Sequence, residues 1–149
     1  MHDGVEKNVR LWGHAWLLMV VAFTVHVFDE VMTDFLPLYN SLVTDLRESF
    51  GFVPFPTFRF GLWLTGLIGG IALLSALTPL VYSGRKILLY VSYALAVIMT
   101  LNGLAHIGAS VYWSRVVPGA VSSPLLVVAA VALLVATIRA HRASGTKRN

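Results

Sequence analysis

The sequence predicts an all-α polytopic membrane protein: a four-helix bundle, N-in and C-in, whose outer side is capped by a loop of about 20 residues between helices 1 and 2. Three observations predict it. Hydrophobic residues make up 57% of the 149 and charged residues 12%, with mean hydropathy +0.77, well outside the soluble globular norm. Four apolar runs, at about 12–36, 60–81, 87–113 and 124–140, each approach the roughly 20 residues that cross a bilayer. The cations gather on one side of these runs. Everything fits a single domain, 1–149.

Residues 1–10 read as a polar tail. Trp12 and Trp16 open the first run as interfacial indoles, with His14 beside them as an interface histidine. The run is too long for a cleavable signal and lacks a small-residue cleavage pattern, so it stays as the first span. Pro37 is expected to stop it after Leu36. Residues 37–59 then read as a loop, with a short amphipathic helix over 41–50 at the interface and Pro54 and Pro56 returning the chain extended. A connection of this length suggests a lid or entrance. Tyr39 and Asn40 either line that entrance or serve as turn residues.

In the second span Gly66 and Gly70 form a small-xxx-small step, suited to packing within the bundle or between subunits of a homo-oligomer. The turn 83–86 is short and basic. The third span carries Asn102 and His106 on one face. Ser123 followed by Pro124 reads as an N-cap with proline at the first helical position of a short fourth span. The tail 141–149 is basic and expected to be disordered.

Lys7, Arg10, Arg85, Lys86, Arg139, Arg142, Lys147 and Arg148 fall on one side of these spans, and Arg47, Arg59 and Arg115 on the other. The positive-inside rule therefore puts both termini in the cytoplasm. The net charge of +4 is thus membrane-orienting and gives no reason to expect nucleic acid as a partner. With no cysteine, disulfides, thiolate chemistry and cysteine-ligated metals are excluded.

The candidate chemistry starts in the first span. His26, Asp29, Glu30 and Asp34 recur at helical offsets and share one stripe. Ionisable groups inside a span are costly and usually mark a working site facing the protein interior. Spans one and three run in the same direction, which sets His26 level with Asn102, and Glu30 and His106 one turn further. Asp34 and Arg115 fall nearer the outer surface, where they either pair or bind a ligand. Polar groups at one level on two helices satisfy each other only if they face inward. His26, Asp29, Glu30 and His106 are therefore the candidate catalytic set, with Asn102, Asp34, Arg115, Tyr39 and Asn40 toward the substrate. The structural alternative is a hydrogen-bonded network that simply holds two spans together.

The run His26-Val27-Phe28-Asp29-Glu30, then Asn102-Gly103-Leu104-Ala105-His106, then Arg115-Val116-Val117-Pro118-Gly119, resembles the HXXEE family of small bacterial membrane proteins. That family is named for a His-x-x-Glu-Glu motif and shows a later Asn-x-x-x-His element and an Arg…Pro-Gly element. Asp29 stands where the name calls for glutamate, which keeps the charge but draws it back. The resemblance implies the site and a bacterial inner membrane, and it implies no particular reaction.

An imidazole and a carboxylate at i and i+4 can share one proton or one cation. No metal is assigned from the sequence. If one is present, His26, Glu30 and His106 form the set suited to zinc or non-haem iron, with Asp29 as fourth ligand or orienting group. A haem on His26 or His106 is a further alternative. The favoured reading is an enzyme performing acid/base chemistry, metal-assisted or not, such as isomerisation, cyclisation or hydrolysis of a lipid or other lipophilic substrate. The alternative is a proton- or ion-coupled relay in a small transporter or channel subunit.

Overall fold

The computed structural model describes residues 2–145, with side chains described over 4–144; Lys147 and Arg148 of the basic tail lie outside the described residues. The chain forms α1 (His2–Met32), α2 (Phe35–Phe50), α3 (Phe60–Tyr82), α4 (Ile87–Tyr112) and α5 (Ser123–Gly145), with no strand among the described residues. Four of these, all but α2, are long and apolar enough to cross a membrane.

α5 packs against both α1 and α4, and α3 packs chiefly on α1. Small residues make this closeness feasible. Ala129, Ala130, Ala136 and Ala140 of α5 are buried, and a Cβ on Gly103 of α4 would meet Val127 at 2.6 Å and the Ser123 carbonyl at 3.1 Å. α1 and α4 meet through longer side chains. The Trp12 indole donates to Ser92 Oγ at 2.9 Å across an offset of 80 residues, the same offset that separates His26 from His106. The two co-directional helices therefore run one turn out of the register expected from sequence: His106, not Asn102, comes level with His26.

Trp12 and Trp16 are core residues, 1% and 0% exposed, and not interfacial anchors. Each indole N–H finds a partner across the bundle, Trp16 donating to the Leu74 carbonyl at 3.1 Å, so burial leaves no polar group orphaned. The N-terminal segment expected to be a tail already belongs to α1. His14 is exposed, its ring edge-on to Tyr82 with centroids 5.6 Å apart.

Pro37 does not end the first span. α1 stops at Met32, and Asp34 turns the chain through a left-handed backbone conformation with φ 58°. Aspartate tolerates that conformation better than most residues. Pro37 instead falls in the first turn of α2, where its missing N–H is not needed. The helix expected over 41–50 begins six residues earlier, at Phe35, so most of the expected loop is helix. Residues 51–59 run back along α2, held by Asn40, which donates to the Phe58 carbonyl at 2.9 Å and accepts from its N–H at 3.0 Å. Tyr39 donates to the Pro56 carbonyl at 3.0 Å and Arg47 to that of Phe55. Tyr39 and Asn40 are thus helix residues that tie down the return strand of chain, and not turn residues.

At Gly66 and Gly70 an added Cβ would meet nothing within 4 Å, so the small-residue step packs against no helix of the bundle. α5 begins at Ser123, whose hydroxyl donates to the Gly119 carbonyl at 2.7 Å instead of capping the helix, and it continues through Arg139 and Arg142 to Gly145. Arg142 in the last turn suits the negative end of the helix dipole, which explains why the fourth span outruns its apolar stretch. Residues 141–145 of the expected disordered tail are therefore helical.

Candidate functional site

α1 contributes His26, Asp29 and Glu30, α4 contributes His106, and the connection between α4 and α5 folds over the end of α1 to supply the rest. His26, Glu30 and His106 are 0%, 5% and 6% exposed. His26 Nε2 lies 3.4 Å and His106 Nε2 3.2 Å from the same oxygen, Glu30 Oε1, and the imidazole rings stand edge-on with centroids 5.0 Å apart. One oxygen and two ring nitrogens therefore converge on one small volume, all within 4.8 Å of one another.

What holds the rings is equally specific. His106 Nδ1 lies 2.6 Å from the Pro118 carbonyl, which can only accept, so Nδ1 carries the proton. His26 Nδ1 lies 2.8 Å from Ser122 Oγ. That hydroxyl donates to Asp29 Oδ2 at 2.7 Å, and Asp29 Oδ2 also accepts the Ser122 N–H at 2.9 Å. Ser122 Oγ is then free to accept from His26 Nδ1–H, giving a relay from ring through hydroxyl to carboxylate. In the neutral form both imidazoles consequently aim an unprotonated Nε2 at Glu30. His26 Nε2 is buried without a hydrogen-bond partner.

Gly119 closes this wall with φ 78°; a Cβ there would lie 2.7 Å from His106 Cε1, 2.9 Å from its Nδ1 and 3.2 Å from Glu30 Cγ. The Gly119 N–H donates to Thr33 Oγ1 at 3.2 Å, fastening the connection to the end of α1.

Two cavities flank the cluster. One, about 210 Å³, is lined by Glu30, Asp34, Phe35, Asn40, Phe58 and Trp63 among others. The second, about 220 Å³, is lined by Phe35, Leu38, Tyr39, Asn102, His106 and Trp113 among others. Phe35 separates them, its ring 5.0 Å from that of His106 and 6.2 Å from that of Trp63.

Of the residues expected from sequence, His26, Asp29, Glu30 and His106 meet, with Asp29 acting on His26 only through Ser122. Asn102 lies a turn away and lines the second cavity, as does Tyr39; Asn40 lines the first. Arg115 does not pair with Asp34 among the described residues. Its guanidinium lies over the Trp113 ring at 6.0 Å, and Asp34, exposed, serves the turn into α2. Sequence reasoning missed Ser122, Phe35 and the Pro118 carbonyl. The Pro-Gly pair was the one available signal, since it marks a sharp turn placed between two polar spans.

Fold and site together define a class: a small helical protein with four apolar helices able to span a membrane and a buried His/Glu cluster between them. A family model described as "Protein of unknown function with HXXEE motif" matches residues 16–134, and the chain belongs to that family. Searches of curated proteins and of solved structures return no match.

Proposed function

We propose that the chain is an intramembrane enzyme performing acid/base chemistry, such as isomerisation, cyclisation or hydrolysis, on a lipophilic substrate, with His26, Glu30 and His106 as its reaction centre and Asp29 acting through Ser122. One observation carries this reading: three polar atoms converge in a cluster shielded from solvent, and two of its residues, Glu30 and His106, each line one of two largely apolar cavities divided by Phe35. A greasy chain would occupy those cavities while its functional group meets the cluster, with Asn102, Tyr39 and Asn40 placed along the walls. Between the cluster and the other end of the bundle, Trp12, Trp16, Met19, Phe23 and Leu133 are buried together. That packing favours a closed pocket over the continuous route a transporter needs.

The test compares lipid extracts, by mass spectrometry, from cells making the native chain and cells making the Glu30→Gln chain. The expected result is a lipophilic compound whose abundance depends on Glu30, and whose conversion purified protein reproduces. Identical extracts, together with proton or cation flux in proteoliposomes that needs Glu30, would overturn the enzyme reading in favour of a relay.

The same reading puts the protein in the cytoplasmic membrane with both termini inside. Its support is that one end of the bundle collects Lys7, Arg10, Arg85, Lys86, Arg139 and Arg142, where a Cβ on Gly84 would touch Val9 and Tyr93 reaches His141. Because the chain has no cysteine, single cysteines report topology cleanly. A membrane-impermeant maleimide should label Ser41→Cys on α2 in intact cells and Ser83→Cys only after permeabilisation. The reverse pattern would contradict this orientation.

A further inference from the structure

We infer that His26 Nε2, Glu30 Oε1 and His106 Nε2 form a binding site for one divalent transition-metal ion, zinc by ligand type and spacing. The inference rests on the reading of this cluster as the reaction centre and adds its cofactor. Both Nδ1 atoms are committed as donors, to the Pro118 carbonyl and to the Ser122–Asp29 relay, so with the imidazoles neutral three lone-pair-bearing atoms face one another with no donor among them. A single proton shared with Glu30 satisfies one imidazole and leaves the other Nε2 bare. His26 Nε2 is that bare atom, fully buried at 3.4 Å from the carboxylate without a hydrogen bond.

A cation resolves all three at once. Tetrahedral zinc with bonds of about 2.0–2.2 Å sets its ligand atoms roughly 3.3–3.5 Å apart. The nitrogen–oxygen separations here are 3.2 and 3.4 Å. With both imidazoles neutral and Glu30 and Asp29 ionised, the group carries two negative charges, which one divalent ion cancels inside the apolar bundle. The outer contacts match those of metal-bound histidines, in which the second ring nitrogen donates to a carbonyl or toward a carboxylate. Three protein ligands leave a fourth position, and the adjoining cavities supply the space for water or a substrate oxygen. The other histidines whose side chains are described, His14 and His141, belong to no such cluster.

The experiment is metal analysis and zinc titration of the full chain, purified in detergent without chelator, and of His106→Gln and Ser122→Ala. The expected result is about one zinc per chain, a thermal midpoint that rises with added zinc, and loss of both effects in His106→Gln. Ser122→Ala, which retains all three ligands, should weaken zinc about 10–100-fold. No zinc in the native chain on purification or titration overturns the inference, as does binding that His106→Gln leaves unchanged. If His106→Gln fails to fold, Ser122→Ala alone decides: undiminished affinity there also overturns it. Lipid conversion that survives chelation would sink the metal site and spare the enzyme; zinc bound without any conversion would do the opposite.

Discussion

Glu30→Gln is expected to reduce turnover and zinc affinity at least 100-fold while leaving the thermal midpoint, compared between chains stripped of metal, unchanged or higher. The amide keeps the shape of the carboxylate, so no cavity opens. It replaces the oxygen shared by both imidazoles with a group that can donate to His106 Nε2 or His26 Nε2, which answers the unpartnered nitrogen from within the protein. It also removes a buried charge, a change often neutral or stabilising when the partners are neutral. Function and stability should therefore separate, as expected where a site is held in a locally unfavourable state. Turnover of the lipid pool and thermal melting in the same detergent provide the check. A large drop in melting temperature would mean that Glu30 chiefly holds the bundle together.

Gly119→Ala is expected to dismantle the site without unfolding the spans. Its φ of 78° costs a side-chain-bearing residue on the order of 1–3 kcal/mol. The added Cβ would also lie 2.7 Å from a ring that cannot retreat, because His106 is bonded to the Pro118 carbonyl and packed between His26 and Phe35. Displacing that ring separates Nε2 from Glu30, and zinc affinity should fall at least tenfold. Gly66→Ala on α3 is the control: it is helical, with nothing within 4 Å of its Cβ, and should leave affinity unchanged without lowering the melting temperature. Equal affinity in Gly119→Ala and the native chain would show that the α4–α5 connection does not shape the site.

Periodicity and hydropathy made the four spans legible, along with the shared stripe of His26, Asp29 and Glu30 and the direction of α4, because each depends on spacing along a single helix. The axial register between α1 and α4 was not legible. It follows from the Trp12–Ser92 hydrogen bond and the intervening α5, both set by packing across the bundle. The same limit applies to Trp12 and Trp16, whose interfacial look yields to cross-bundle acceptors at Ser92 and Leu74. Of α2 only the stretch before residue 41 was hidden, because Pro37, a stop signal inside a helix, is harmless in a first turn. Ser122 was invisible for a different reason: its role comes from one hydroxyl caught between His26 and Asp29, 96 and 93 residues away.

The metal site stands or falls on where the protons sit on the two imidazoles. Nitrogen-15 NMR of the histidine-labelled chain, with His26 and His106 assigned among the five histidines by substitution to glutamine, reads that arrangement ring by ring. In the chain stripped of metal both rings should be neutral and protonated at Nδ1, with Nε2 unprotonated and shifting when zinc is added. A ring protonated at Nε2, or an imidazolium that zinc does not perturb, would contradict that site.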